Sequence, residues 1–305
     1  MSDPKIIDSL NERFAVRGVI TFEAGPSGLI RAAIGGRAAE GHVYLHGAHV
    51  THYRPAGHRP LLFLSERSQF AGGKAIRGGV PVIFPWFGAR AGHPEAPDHG
   101  FVRTGEWAVE SVEHANDGSV AVTLAFEDDD ATRGTWPHAF RVRHRVVFGE
   151  RLEMMLEVEN RSDQPFQFEE ALHTYVLVGD VAQASIDGLG GSVYIDKTDE
   201  MKRKTLAAGP LRLHGTTDRV FLDTRSTCIV ADPVLGRRIV VEKTGSATTV
   251  VWNPWHEKAS TMADLGDDQW RSMLCVEAAN AADNAVHLAS GERHAMHVVI
   301  GAEAA

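Results

Sequence analysis

The chain has 305 residues and a formal net charge of −9 with histidines neutral. That balance argues against a nucleic-acid or anionic-membrane partner, so any anionic substrate must be drawn by a local basic site, which screening over about 8–10 Å permits. Charged and apolar fractions of 23% and 43% are ordinary for a globular chain, and a core can form without covalent staples.

Taken in order, the first segment, MSDPKIIDSLNERF, has no apolar signal core. No stretch is long and apolar enough to span a bilayer. Pro4 to Phe14 reads as a short amphipathic helix, because Ile6, Ile7, Leu10 and Phe14 share a face. From Val16 onward the pattern shifts to short alternating runs divided by Gly, Asp, Asn and Pro. These include 19–22, 42–45, 120–124, 141–147, 152–159, 239–242, 249–252 and 297–300. Many short strands with turn signals predict an all-β sandwich or barrel. Strands alternating with long helices are missing, which argues against a doubly wound fold. Asp128–Asp130 and Gly188–Gly191 read as loops, and a helical turn is expected near Gln269 to Met273. No composition break divides the chain, so residues 1–305 are expected to form a single domain. Cys228 and Cys275 match no zinc or redox spacing. A disulfide stays open, but the usage fits a reducing compartment and a cytoplasmic protein.

The stretch from Lys74 to Arg103 fits neither period. Arg77 precedes Gly78 and Gly79; Pro81 and Pro85 bracket a short apolar run; Asp98-His99-Gly100-Phe101-Val102-Arg103 closes it. Prolines at both ends exclude a central strand or a helix interior. Paired glycines allow a sharp turn or a close backbone approach, and two arginines flanking such a loop suit a bidentate hold on an anion. A covered loop with surface arginines fits the same letters.

Further constellations could carry chemistry. Glu169 to Val176, read as one strand, places residues 169, 171, 173 and 175 on one face, with a histidine able to move a proton near neutral pH. A half-buried structural histidine is the alternative. Met273 to Asn280 is an apolar strand with Cys275, Glu277 and Ala279 on one face. A carboxylate there is costly to bury unless paired, and burial would raise its pKa toward a useful base; an edge strand with Glu277 in solvent is the alternative. Trp252 and Trp255 around Asn253-Pro254 could wall a sugar site or pack a turn. His42, His46, His49, His52 and His58 match no metal motif. Thr216 to Phe221 reads as a charged pair opening an apolar run. There is no nucleophile elbow, P-loop or dinucleotide fingerprint.

RGGVPVIFPWFG, DHGFVR, ALHTYV, DRV, VWNPW and LCVEAAN occur in this order. Together they make the chain resemble the hexose-6-phosphate mutarotases of the aldose 1-epimerase, or galactose-mutarotase-like, superfamily, from about Gly28 to the C-terminus. The resemblance implies the superfamily's antiparallel β-sandwich and interconversion of the α and β anomers of an aldohexose 6-phosphate. It places the catalytic histidine on His173 and the catalytic glutamate on Glu277. Substrate binding falls on Arg77, Arg103 and Asp218, with His99 also matching the motif. The residue before His99, commonly glutamine in the family, is Asp98 here. No metal or cofactor is implied, because one acid and one base suffice: Glu277 takes the O1 proton and a protonated His173 gives one to the ring oxygen. The expected partner is a small hexose phosphate, and the chain is expected to act as a monomer. Two further readings remain: a mutarotase for free aldoses, and a silent sugar-phosphate binder on the same fold.

Overall fold

Strict alternation builds one of the two large sheets. In the computed structural model, which describes Asp3 to Ala305, the strands Phe140–Phe148 and Leu152–Asn160 alternate buried and more exposed residues along their whole length. This period-2 pattern sends Val142, Val146, Met154 and Val158 into the core. The outer positions carry ion pairs such as Arg143–Glu110 at 2.8 Å and Arg293–Glu159 at 3.0 Å. Eight antiparallel strands follow one another here, from Ser185–Asp187 through Cys228–Asp232, Arg237–Thr244, Arg293–Ala304, Leu152–Asn160, Phe140–Phe148 and Val120–Glu127 to Ala108–His114.

The second large sheet is buried on both faces at its centre. Its path runs Lys202–Thr205, Val193–Asp196, Thr217–Phe221, Thr248–Asn253, Met273–Asn280, Glu170–Leu172 and Val82–Ile83, and Tyr175–Leu177 also pairs with Met273–Asn280. Every residue of Met273–Asn280 is buried. The strand is interior, so the edge-strand alternative for Glu277 does not hold. One face joins the main core through Leu274, Val276 and Ala278. The other carries a smaller apolar cluster that includes Ile83, Ala171, Val220 and Val250. The fold is thus all-β, as the alternating runs predict, and its sheets are antiparallel, as the resemblance implies. Val82–Ile83 ends this sheet's path, consistent with the prolines that bracket it.

A four-stranded sheet from Ile20–Ala24 to His49–Pro55 and a two-stranded pair, Phe166–Phe168 with Val286–Leu288, complete the set. The helix Pro4–Phe14 is capped by Asp3, and its Asn11 side chain bonds both the N–H and the carbonyl of Phe22 at 2.8 Å. Two local expectations change. Asp128–Asp130 is not all loop: Asp129 caps a short helix, Asp130–Thr135, through a reciprocal bond with Thr132. Glu169–Val176 is not one strand but two short ones broken at His173 and Thr174. No helix among the described residues is long and apolar enough to cross a membrane.

Candidate active site

The strand register assembles the floor of a cavity of about 570 Å³. Asp218 pairs with Trp252, Trp252 with Cys275, and Cys275 with Tyr175, so these residues form one row across four strands. The next row is Val220, Val250 and Glu277. Antiparallel pairing therefore sets Glu277 diagonally behind Trp252, on the face of Asp218. His173 comes from the break between Glu170–Leu172 and Tyr175–Leu177, not from a strand. Leaving the ladder lets its ring stack on Tyr175, with centroids 4.8 Å apart. There His173 Nε2 lies 3.3 Å from Glu277 Oε1.

Both members of this pair are deeply enclosed, His173 at 8% and Glu277 at 1% exposure. Burial, then the neighbouring His99 ring and the charges of Arg77 and Arg103, holds the His173 pKa well below that of an ordinary imidazole. Burial, then the neighbouring Asp218, pushes the Glu277 carboxyl well above the usual range, with Lys197 opposing. Both shifts favour a neutral imidazole facing a protonated carboxyl. The imidazolium–carboxylate form holds the same number of protons, so a change in local charge can move the proton between them. Glu277 Oε2 and His173 Nδ1 are buried with no protein partner. An unpaired buried acceptor costs about 1–3 kcal/mol, a cost that a ligand bonding to it in the cavity would relieve.

Arg77 and Arg103 enter the same cavity from the irregular stretch. Arg77 is anchored: Nε and Nη2 donate to Asp264 Oδ2 at 3.1 and 3.0 Å, and Nη1 donates to Tyr175 Oη at 2.9 Å. Arg103 donates from Nη2 to the Asp98 carbonyl at 2.6 Å and has no carboxylate partner among the described residues. It is the freer fork for an anion. The Arg77 loop folds tightly because Gly79 has φ +62°, and a Cβ there would collide with the Val50 carbonyl oxygen. Two members of the histidine series hold this loop from below. His46 Nε2 meets the Lys74 carbonyl at 2.7 Å, and His49 Nε2 meets the Gly78 carbonyl at 2.7 Å. Lys74 itself is exposed and outside the cavity. His42 and His52 pair across strands of the small sheet.

His99 adopts φ +63°, an uncommon conformation for a non-glycine residue. Its Nδ1 accepts from the Gly88 N–H at 3.2 Å, which leaves Nε2 as the donor of a neutral ring. Burial, then Arg103, Lys197 and Arg77, lowers its pKa to about 3, so it stays neutral at any working pH. Asp98 orients Arg103 with its backbone carbonyl, so this contact does not depend on glutamine or aspartate at that position. Asp218 lies 3.6 Å from Lys197 Nζ, and burial raises its pKa against that cation.

All six predicted site residues line one cavity. Of the two tryptophans, Trp252 walls it, with its ring steeply inclined to that of His173, whereas Trp255 packs on Trp270. Sequence reasoning missed Asp264, Lys197 and Lys258. Asp264 follows a short helix, and Lys197 sits in a turn after Val193–Asp196; isolated charges in such places carry no pattern. Donor atoms of His173, Cys275 and Glu277 lie within 4.8 Å of one another, a spacing a metal ion could use. Burial, then Glu277, keeps the Cys275 thiol protonated, which disfavours the thiolate that a soft metal requires.

Residues 33–301 match the sequence model of a family described as aldose 1-epimerase. The chain is 38% identical over 239 residues to an Escherichia coli K12 protein provisionally named a glucose-6-phosphate 1-epimerase, which covers 78% of this chain and 79% of that one. It is 33% identical over 288 residues to a Cenchrus ciliaris protein given the same provisional name, covering 91% and 86%. A crystal structure of a Salmonella typhimurium protein, provisionally called a mutarotase, superposes with a TM-score of 0.89 at 29% identity and covers 98% of this chain and 100% of that one.

Proposed function

The chain belongs to the aldose 1-epimerase family, and from that premise we propose that it is a hexose-6-phosphate mutarotase acting on glucose 6-phosphate. The observation that carries this reading is a buried His173–Glu277 pair sharing one cavity with Arg77 and Arg103. The relatives' names supply the phosphorylated hexose.

Anomerisation opens the pyranose ring. The O1 hydroxyl loses a proton while the ring oxygen gains one; the C1–C2 bond rotates, and the ring closes on the other face of the carbonyl. We assign Glu277 as the group that takes the O1 proton and His173 as the group that protonates the ring oxygen, with roles reversed on closure. Those roles require the pair's proton on the imidazole. The phosphate favours that shift: its negative charge offsets the Arg77 and Arg103 charges that add to burial in depressing His173. Binding energy from the unreactive tail thus poises the acid at the reacting centre. Arg103 takes the larger part of the phosphate grip, Arg77 reinforces it, and His99 and Asp218 contact sugar hydroxyls. No redox step occurs, so the reaction balances without a cofactor. We place the enzyme in the cytoplasm, where thiols such as the free Cys228 and Cys275 stay reduced, and infer that it acts as a monomer.

Exchange NMR on glucose 6-phosphate and on glucose tests this. The wild type should exchange the phosphorylated anomers faster. Arg103→Ala should raise KM for glucose 6-phosphate by about 10- to 100-fold, the loss of one charged hydrogen-bonding partner, and leave glucose almost unaffected. An equal loss on both sugars would remove the phosphate assignment and favour a mutarotase for free aldoses.

A further inference from the structure

A second cavity, of about 450 Å³, lies where the chain crosses from one large sheet to the other, at the turn between Arg237–Thr244 and Thr248–Asn253. Lys243, Arg225, His294, Asn280 and Ser246 line it, and no carboxylate does. Lys243 Nζ donates to Ser246 Oγ at 3.1 Å and to the Thr248 carbonyl at 2.7 Å, which leaves its third N–H unused. Desolvation lowers its pKa to about 8, the mark of a cation taken from water without an acid to pair with. Arg225 is exposed and makes no ion pair among the described residues. His294 Nε2 sits 2.9 Å from Glu170 Oε1, which also accepts from Asn280 Nδ2 at 2.8 Å. Burial works against the His294 charge, but the hydrogen bond and charge of Glu170 outweigh it and raise the pKa. Glu170 therefore answers His294, and two cations, Lys243 and Arg225, are left uncompensated around a cavity with hydroxyl and amide groups.

We propose that this cavity is a second anion site that binds a phosphate-type dianion, separate from the catalytic cavity. Two unanswered cations match a dianion in charge. The volume exceeds that of a bare oxyanion and leaves room for a small phosphate monoester. Two neighbouring strands run from this site to the catalytic one. Asn280 stands three residues from Glu277 on one strand, about 10 Å at the usual rise per residue. Glu170, its cross-strand partner, stands three residues before His173.

Calorimetric titration of the full chain with inorganic phosphate, and separately with glycerol 3-phosphate, tests the proposal and distinguishes free phosphate from a monoester. The wild type should show two classes of site for at least one probe. Arg103→Ala, which weakens the catalytic grip, should retain the second class. Arg225→Glu, at an exposed position, should weaken that class at least tenfold while anomer exchange at saturating glucose 6-phosphate stays within about twofold. Titrations in which neither probe shows a class of site that Arg103→Ala retains and Arg225→Glu weakens would overturn the proposal. That class is identified by its response to Arg225→Glu, so loss of the mutarotase reading, read separately by exchange activity, would not imitate this result.

Discussion

Two histidine–glutamate pairs join the same part of this molecule, and they behave in opposite ways. His173 faces Glu277 at 3.3 Å and His294 faces Glu170 at 2.9 Å. The glutamates lie on neighbouring antiparallel strands in which Glu170 pairs with Asn280 and Leu172 with Ala278. At the second pair, Asn280 adds a hydrogen bond to the acid, and His294 is raised toward its charged form. At the first, cations crowd the imidazole, Asp218 crowds the carboxyl, and burial drives both toward neutrality. The same two side chains thus support a charged histidine at one end of the strands and are both pressed toward neutrality at the other. The neighbours decide which.

The largest test removes the poised carboxylate. Glu277→Gln should lower kcat for anomer exchange by about 10²–10⁴-fold, with a small change in KM, as read by exchange NMR; a rate near wild type would break the distinction between the pairs. Acid should act next most strongly, through groups away from the site. His49 and His144 are buried, and burial lowers them to about 3 and about 4, with backbone hydrogen bonds opposing. Their folded pKa values lie below the unfolded value near 6.5, so their contribution is complete above that pH and is lost as pH falls toward 4. Each should remove on the order of 2 kcal/mol between pH 6.5 and 5. Urea midpoints at pH 7 and pH 5 check this, and a midpoint that does not fall contradicts it. His294 works in the opposite sense, since its raised pKa adds stability at low pH that fades as pH climbs through the folded value.

Glu170→Gln sharpens the contrast from the other side. It should lower unfolding free energy by about 1–3 kcal/mol, measured by denaturant titration, yet leave kcat within about threefold. A fall in kcat as large as that of Glu277→Gln would show that both pairs serve the chemistry. Cys275→Ala should have the smallest effect, within about twofold on kcat, because its thiol is protonated and the acid–base exchange does not use it. A large loss there would bring sulfur into the mechanism.

Much of this was legible in the letters. Alternation over 141–147 and 152–159 announced strands with one wet face, because side-chain direction in a strand has period 2. The strands run only a residue or so longer, Phe140–Phe148 and Leu152–Asn160. A lone acid in the apolar run around Glu277 stood out because burying charge is costly. The break at His173 was not visible: Glu169 to Val176 has unbroken strand character, and only the tertiary pairing interrupts it. The use of His46 and His49 as braces for the Arg77 loop was equally hidden, since their partners are backbone carbonyls 28 and 29 residues away.

By itself, then, the chain's order of residues determined the all-β class, the apolar strand that carries Glu277, and the irregular stretch that holds Arg77 and Arg103. These follow from local rules of period, proline placement and burial cost. Only the tertiary structure decided that Asp264 anchors one arginine and leaves the other free, that burial and neighbouring charge push both His173 and Glu277 toward their neutral forms, and that a second cationic cavity opens beside His294. Distance, desolvation and neighbouring charge set these outcomes, and each depends on residues far apart in sequence that meet only when the sheets close.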